Sequence, residues 1–230
     1  MKKLRFIALF LVCFMLTNIN VKAYDPANSG FKYYEVQKRF FSNKESLKEI
    51  PSEVQEAWDE IGDTYMDVFY REKTTIFYTF GVKSKDRYDK DLATYYEGKY
   101  YPANIIFTPT KKGRKYYSPQ RGGMIYIYSD VKSKDTIIHE YGHAMYDIYY
   151  YRIGFSTGFE ETWEEIYKKS KKSLAKYDYR TSYIVPDSPR EGFAESFRLF
   201  IENPDLLNQR NKRVYDFMLK VCQEVVDFEE

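Results

Sequence analysis

The sequence predicts an α+β fold in which a small sheet comes first and a mostly helical half follows. Three segments rich in β-branched and aromatic residues, 74–80, 105–108 and 124–128, are typical of strands. After residue 133, apolar residues recur at helical spacing in several further segments. The chain has only two histidines among its 230 residues, and both lie where the two halves meet. This junction is therefore the first place to look for a functional site.

The first 23 residues have the composition of a secretory signal peptide. Basic residues at positions 2, 3 and 5 precede an apolar run from Phe6 to Leu16, which is too short to span a bilayer. Small residues at positions 21 and 23 suit cleavage between Ala23 and Tyr24. We expect a secreted protein without a stable membrane anchor, in which residues 24–230 form one domain.

The composition excludes some classes of protein. Cleavage at residue 23 removes Cys13 and leaves Cys222 alone, so the mature chain cannot form an internal disulfide. The formal charge of the full chain is +2, a near balance that gives no electrostatic footprint for nucleic acid. We expect a monomeric domain whose stability depends on its hydrophobic core.

The N-terminal half is expected to form structural elements that support the site and do not take part in it. Ser46 and Glu49 have the spacing of a capping box, and the apolar residues from Val54 to Val68 predict one amphipathic helix of about five turns. The strand at 105–108 is separated from the strand at 124–128 by a stretch with prolines and glycines. The basic run at 111–115 in this stretch either attracts an acidic substrate or keeps a hairpin tip solvated, and the second interpretation is the simpler.

The segment from Thr136 to Tyr151 predicts a buried helix. Ser133 is a suitable N-cap, Asp135 places a negative charge in the first turn, and no proline interrupts the segment. Its apolar residues leave few polar faces, as expected of a helix surrounded by protein. Gly142 disfavours a helix by about 1 kcal/mol relative to alanine, which indicates that a neighbouring backbone passes close by.

This helix carries His139, Glu140 and His143, the His-Glu-x-x-His arrangement of zinc sites. Residues four apart on a helix share a face, so both imidazoles can reach one metal ion while Glu140 stands beside them. The alternative is a pair of packed histidines next to a surface glutamate. The rarity of the spacing in a chain with two histidines favours the zinc site.

The remaining segments predict helices of the C-terminal half. One begins at Phe159, with acidic residues first and lysines later, as the helix dipole favours. Another begins at Arg190, Asn203-Pro204 opens a short helix, and the last helix spans residues 213–228. Residues 177–189 contain two prolines and no period, which is typical of a loop.

A catalytic zinc takes three protein ligands, and no histidine remains to be the third. The third ligand must be a carboxylate from one of the later helices. Glu161 and Glu165 on one helix, and Glu191 and Glu195 on another, are the candidates. Spacing alone leaves both pairs open.

A resemblance favours one pair. Residues 138–144, Thr181-Ser182-Tyr183 and residues 191–199 together resemble the catalytic domain of anthrax lethal factor and the related small secreted Pro-Pro endopeptidases. The resemblance implies that Glu191 binds zinc, that Tyr183 aids the transition state, and that Glu195 supports a ligand histidine by accepting its hydrogen bond. One departure is the Tyr183 to Glu191 spacing, which is one residue longer than the lethal factor pattern.

These observations together predict a zincin-like metalloprotease fold: a small twisted sheet, an active-site helix and a helical C-terminal lobe. The expected activity is that of a secreted zinc endopeptidase that cleaves extracellular or host proteins through zinc-bound water, with Glu140 as the base. The alternative is a catalytically silent secreted binding protein or toxin component on the same fold. The intact Glu140 weighs against this alternative.

A protease must also hold an extended protein or peptide substrate, and an exposed strand edge does so through main-chain hydrogen bonds. Gly122, Gly123, Met124, Ile125 and Tyr126 lie just before the metal helix and are one candidate for this edge. The two glycines either let the substrate backbone approach or simply close a hairpin.

Overall fold

Strands and two helices form the N-terminal part of the protein, and the elements described from residue 134 onwards are all helices. The computed structural model describes residues 40–42, 50–79, 88–89, 94–95, 98–102, 104–109, 115–128, 133–153, 157–174 and 188–228. The strands are β1 (Phe40–Ser42), β2 (Thr75–Thr79), β3 (Tyr88–Asp89), β4 (Thr94–Tyr95), β5 (Gly98–Tyr101), β6 (Asn104–Pro109), β7 (Lys115–Arg121) and β8 (Met124–Tyr128). The helices are α1 (Ser52–Ile61), α2 (Asp63–Arg71), α3 (Lys134–Arg152), α4 (Phe159–Leu174), α5 (Pro189–Glu202), α6 (Pro204–Arg210) and α7 (Lys212–Val226). The predicted α+β class is confirmed.

Several predicted features lie outside the described residues. These are the signal peptide at residues 1–23, the capping box that begins at Ser46, residues 111–114 of the basic run, and Tyr183.

The main sheet has four strands in the order β1-β2-β8-β5. β1, β2 and β8 run parallel, and β5 pairs antiparallel with β8. β6 and β7 form a separate antiparallel pair, as do β3 and β4. The sequence pattern predicts β2, β6 and β8. It misses the other described strands, β1, β3, β4, β5 and β7.

The predicted substrate edge at Gly122, Gly123, Met124, Ile125 and Tyr126 is wrong. β8 is an interior strand, because β2 pairs with one side of it and β5 with the other. The two glycines instead make room for neighbours within the fold. A Cβ on Gly122 would lie 2.1 Å from the Lys73 carbonyl oxygen, and a Cβ on Gly123 would lie 2.3 Å from the Tyr100 ring. Within the described part of the sheet, β5 is the terminal strand beside β8.

The segment predicted as one long helix forms two helices instead. α1 ends at Ile61 and α2 begins at Asp63, with Gly62 between them. The backbone of Gly62 has φ of 79°, a conformation that side-chain-bearing residues rarely adopt, so the helix cannot continue through it. The apolar residues on both helices are nevertheless buried, as their spacing predicts.

Helix α3 lies at the centre of the core, as its lack of a polar face predicts. Ile137, Ile138, Ala144 and Met145 are fully buried. The α1 side chain Trp58 donates a hydrogen bond from Nε1 to the Tyr141 hydroxyl at 2.9 Å. None of the described helices is both long enough and apolar enough to cross a membrane. α3 therefore packs between the sheet and the C-terminal helices.

The C-terminal helices follow their predicted bounds closely. α5 begins behind Ser188, and α6 begins behind Asn203, whose side chain accepts a hydrogen bond from the Leu206 backbone N–H at 3.1 Å. Trp163 of α4 and Phe193 and Phe197 of α5 are fully buried against the rest of the core. This packing fixes the face of α5 that is turned towards α3.

Candidate metal centre

The two histidines project from one face of α3. Their ring centroids are 4.9 Å apart and the rings are nearly perpendicular. His143 is buried and His139 is half-buried. The helical spacing therefore produces the paired imidazoles that the sequence predicts.

Glu191 enters the same site from the first turn of α5. Its backbone N–H donates to the Ser188 hydroxyl at 3.5 Å, and Pro189 opens the helix. Its carboxylate atom Oε2 lies 3.2 Å from Nε2 of His139 and 3.3 Å from Nε2 of His143. A single oxygen of Glu191 thus faces the Nε2 atom of each histidine ring.

These distances fit a zinc ion. Zinc bonds histidine nitrogen and carboxylate oxygen at about 2.0 to 2.2 Å, and tetrahedral angles then place neighbouring ligand atoms about 3.3 Å apart. The observed separations from Glu191 to His139 and to His143 are 3.2 and 3.3 Å. The ligand atoms of all three residues lie within 4.8 Å of one another. The Glu191 oxygen thus already lies at about the tetrahedral spacing from each histidine nitrogen.

Glu195 supports this set from one turn further along α5. Its Oε2 lies 3.3 Å from Nδ1 of His139, the nitrogen that faces away from Glu191. Arg198 in turn donates to the Glu195 carboxylate, with Nε at 3.1 Å from both oxygens. A hydrogen bond at Nδ1 fixes the tautomer that leaves Nε2 free to bind a metal. This arrangement agrees with the supporting role that the resemblance implies.

The electrostatics of the site favour a cation. Burial opposes protonation of His139, but hydrogen bonds to Glu191 and Glu195 outweigh it and raise the pKa of His139 to about 10. Burial also opposes ionisation of Glu191, but both histidines outweigh it and hold its pKa well below the usual range. A metal ion must displace the proton held here, since its ligands bind deprotonated.

Glu140 lies beside the cluster and is only 6% exposed. Burial raises the pKa of this carboxyl, although both histidines and a hydrogen bond from the Tyr100 backbone N–H oppose the change. Its other oxygen, Oε2, has no hydrogen-bond partner among the residues that the structure describes. An unpaired buried acceptor is energetically unfavourable, so its presence here suggests a function. Such a group can accept a proton from a water molecule.

Gly142 allows α5 to come this close to α3. A Cβ on Gly142 would lie 2.7 Å from both Cα and the carbonyl oxygen of Ala194. These are backbone atoms, so no side-chain rotation relieves the contact. The predicted close backbone is confirmed, and it belongs to the helix that carries Glu191.

We expect Gly142→Ala to weaken zinc binding about tenfold, because the two helices must separate and zinc tolerates about 0.2 Å in its ligand distances. The free energy of unfolding should fall by about 1 to 3 kcal/mol, as for other overpacked sites. Competition with a chelator and urea unfolding measure the two effects. This explanation would be contradicted by unchanged zinc affinity together with a free energy of unfolding that rises by about 1 kcal/mol, the value expected from helix propensity alone.

The competing carboxylates do not reach the histidines. Glu161 and Glu165 are both exposed on α4. Glu165 forms ion pairs with Lys169 and Arg213 instead. Among the described residues, only Glu191 joins the two histidines in a group that could hold a metal ion.

Three neighbours of the site are not predicted by the sequence reasoning. Tyr100 lies on β5, its ring is stacked on that of His143, and its phenol is hydrogen-bonded to Asp147. Arg190 also donates to Asp147. The spacing of Asp147, four residues after His143, is a signal that could have been used, because it continues the face of the metal motif. Tyr100 and Arg190 have no comparable signal.

Comparison with models of known protein families gives no match to this chain, and comparison with curated proteins gives no significant match either.

Proposed function

We propose that the protein is a zinc-dependent endopeptidase with a zincin-like fold. The observation that supports this proposal most strongly is the convergence of His139, His143 and Glu191, with Glu140 beside them on a buried helix. Histidine and carboxylate ligands from three positions, with one position left for water, are typical of catalytic zinc. A glutamate base directly after the first histidine ligand, as Glu140 follows His139, is typical of zinc peptidases.

Each residue has a separate role in this proposal. His139, His143 and Glu191 hold the ion, and Glu195 orients His139. Zinc bound here supplies Lewis acidity towards water and the scissile carbonyl. Glu140 accepts the proton of the attacking water through its unpaired oxygen and returns it to the leaving amine. Tyr183 is the proposed donor to the oxygen that becomes negatively charged.

The substrate is proposed to lie along β5. The Tyr100 N–H bonds Glu140, so it points away from β8. In an antiparallel strand, the N–H and C=O groups of every second residue point to the same side. Gly98, two residues before Tyr100, therefore also directs its backbone groups away from β8. An extended peptide can pair with Gly98 and with the Tyr100 carbonyl, which brings its backbone next to Glu140. β5 thus replaces residues 122–126 as the proposed substrate edge.

This function fits an exported monomeric enzyme that cuts extended segments of extracellular or host proteins. The likeness to Pro-Pro endopeptidases suggests a bond between prolines as the first sequence to test.

The direct test is metal content together with cleavage of a peptide library. We expect one zinc per chain, internal cleavage read by mass spectrometry, loss of cleavage after chelation, and recovery on adding zinc. A Pro-Pro library and a library without proline separate the narrow specificity from the general activity. Absence of cleavage in both libraries by the zinc-loaded protein would refute the proposal.

A further inference from the structure

The backbone of Tyr100 holds the proposed catalytic base. Its N–H donates to the Glu140 carboxylate, while Oε2 of Glu140 has no partner within the described part of the chain. The bond restricts rotation of the carboxylate, because one oxygen is held by a strand that is itself paired with β8. The unpaired oxygen is therefore presented in one direction.

The ring of Tyr100 supports one of the metal-binding histidines. It lies parallel to the His143 ring, with an interplanar angle of 18° and centroids 6.2 Å apart. Gly123 on the neighbouring segment leaves room for this ring, since a Cβ there would come within 2.3 Å of it. The ring thus fills the space between β8 and the metal-binding face of α3.

The phenol of Tyr100 extends the contact to the helix that carries Glu191. The phenol forms a hydrogen bond with the Asp147 carboxylate, and in such a pair the phenol O–H is the donor. Asp147 is only 3% exposed and also accepts a hydrogen bond from Arg190, the residue before Glu191. The Tyr100 side chain therefore contacts His143 on α3 and, through Asp147, is linked to Arg190 at the start of α5.

We propose that Tyr100 is a positioning residue that holds Glu140 and His143 in their working geometry and connects them, through Asp147 and Arg190, to the start of α5. The inference rests on the proposed zinc peptidase function. A base and a metal ligand must be held to within about 0.5 Å of their productive positions. Tyr100 contacts both of them from the strand proposed to bind substrate.

The test compares Tyr100→Phe and Tyr100→Ala with wild-type protein. Phenylalanine keeps the ring and the backbone N–H and loses only the bond to Asp147, so we expect kcat per bound zinc to fall about tenfold with KM within about twofold. Alanine also removes the ring behind His143. It should lower kcat about a hundredfold and weaken zinc binding about tenfold, as for other outer partners of metal sites.

Tyr149→Phe is the matched control. It also removes a phenol bond to a carboxylate, the 2.6 Å contact from Tyr149 to Glu224, but on the far part of α3. We expect wild-type kcat, KM and zinc affinity for this variant. A packing role alone would lower the urea midpoint and the active fraction of the Tyr100 variants without changing kcat per bound zinc, and that result would overturn the inference.

The outcomes separate this inference from the proposed function. Active wild-type protein with unchanged kcat per zinc in both Tyr100 variants refutes the role of Tyr100 alone. Zinc-loaded wild-type protein that cleaves nothing refutes the peptidase, and chelator competition on the variants still decides whether Tyr100 positions the metal ligands. If Tyr100→Ala does not fold, Tyr100→Phe decides through kcat.

Discussion

Glu140→Gln is expected to lower turnover about a thousandfold or more while the protein keeps its zinc. Glutamine has almost the same shape, and its carbonyl oxygen can still accept the hydrogen bond from the Tyr100 N–H. It cannot accept a proton from water. Bound zinc and kcat, measured on the same preparation, test the prediction.

Glu164→Gln is the control for the same chemical change. Glu164 is exposed on α4, away from the metal-binding face of α3, so its replacement should leave kcat and zinc content unchanged. Full activity in Glu140→Gln would refute the proposed mechanism. If wild-type protein and Glu140→Gln bind peptide equally and neither cleaves it, the binding-protein alternative is correct.

The buried helix α3 could be predicted because the signals for it are local in the sequence. The spacing of His139 and His143, the lack of a polar face and the presence of Gly142 all lie within one segment. Even the close approach of another backbone follows from a glycine at a position where a helix favours alanine. The identity of that backbone, Ala194 of α5, is not local and came from the fold.

The substrate edge could not be predicted, because an edge is defined by neighbours. Ile125 and Ile127 alternate with half-buried residues, as the pattern indicates, but the pattern is the same whether one or both sides of β8 are paired. β5 itself is four residues long and lies in a tyrosine-rich stretch without clear alternation. The sequence therefore gives no signal for the proposed role of Tyr100.

The break between α1 and α2 at Gly62 could not be predicted from local periodicity. Apolar spacing continues through it, so periodicity predicts one helix, whereas the glycine adopts a positive φ and starts a second. A glycine within a helical pattern is compatible with both outcomes. Tyr141 and His143 on either side of Gly142 are both buried, whereas Asp63, which follows Gly62, is exposed.

Glu191→Ala is expected to weaken zinc binding by more than a hundredfold, because it removes the proposed third ligand and leaves only two histidines. Glu195→Ala should weaken binding less, by about tenfold to a hundredfold, since Glu195 acts through His139. Chelator competition on each purified variant measures these affinities.

Glu161→Ala provides the decisive comparison for the third ligand. Glu161 is exposed on α4, and its truncation should leave zinc affinity unchanged. Glu191 has a carboxylate oxygen 3.2 and 3.3 Å from the two histidine nitrogens, and in a tetrahedral site each ligand must occupy such a position. Undiminished zinc in Glu191→Ala, together with loss in Glu161→Ala, would move the third ligand to α4. It would also require α4 to turn Glu161 towards α3, which the exposed position of that side chain opposes.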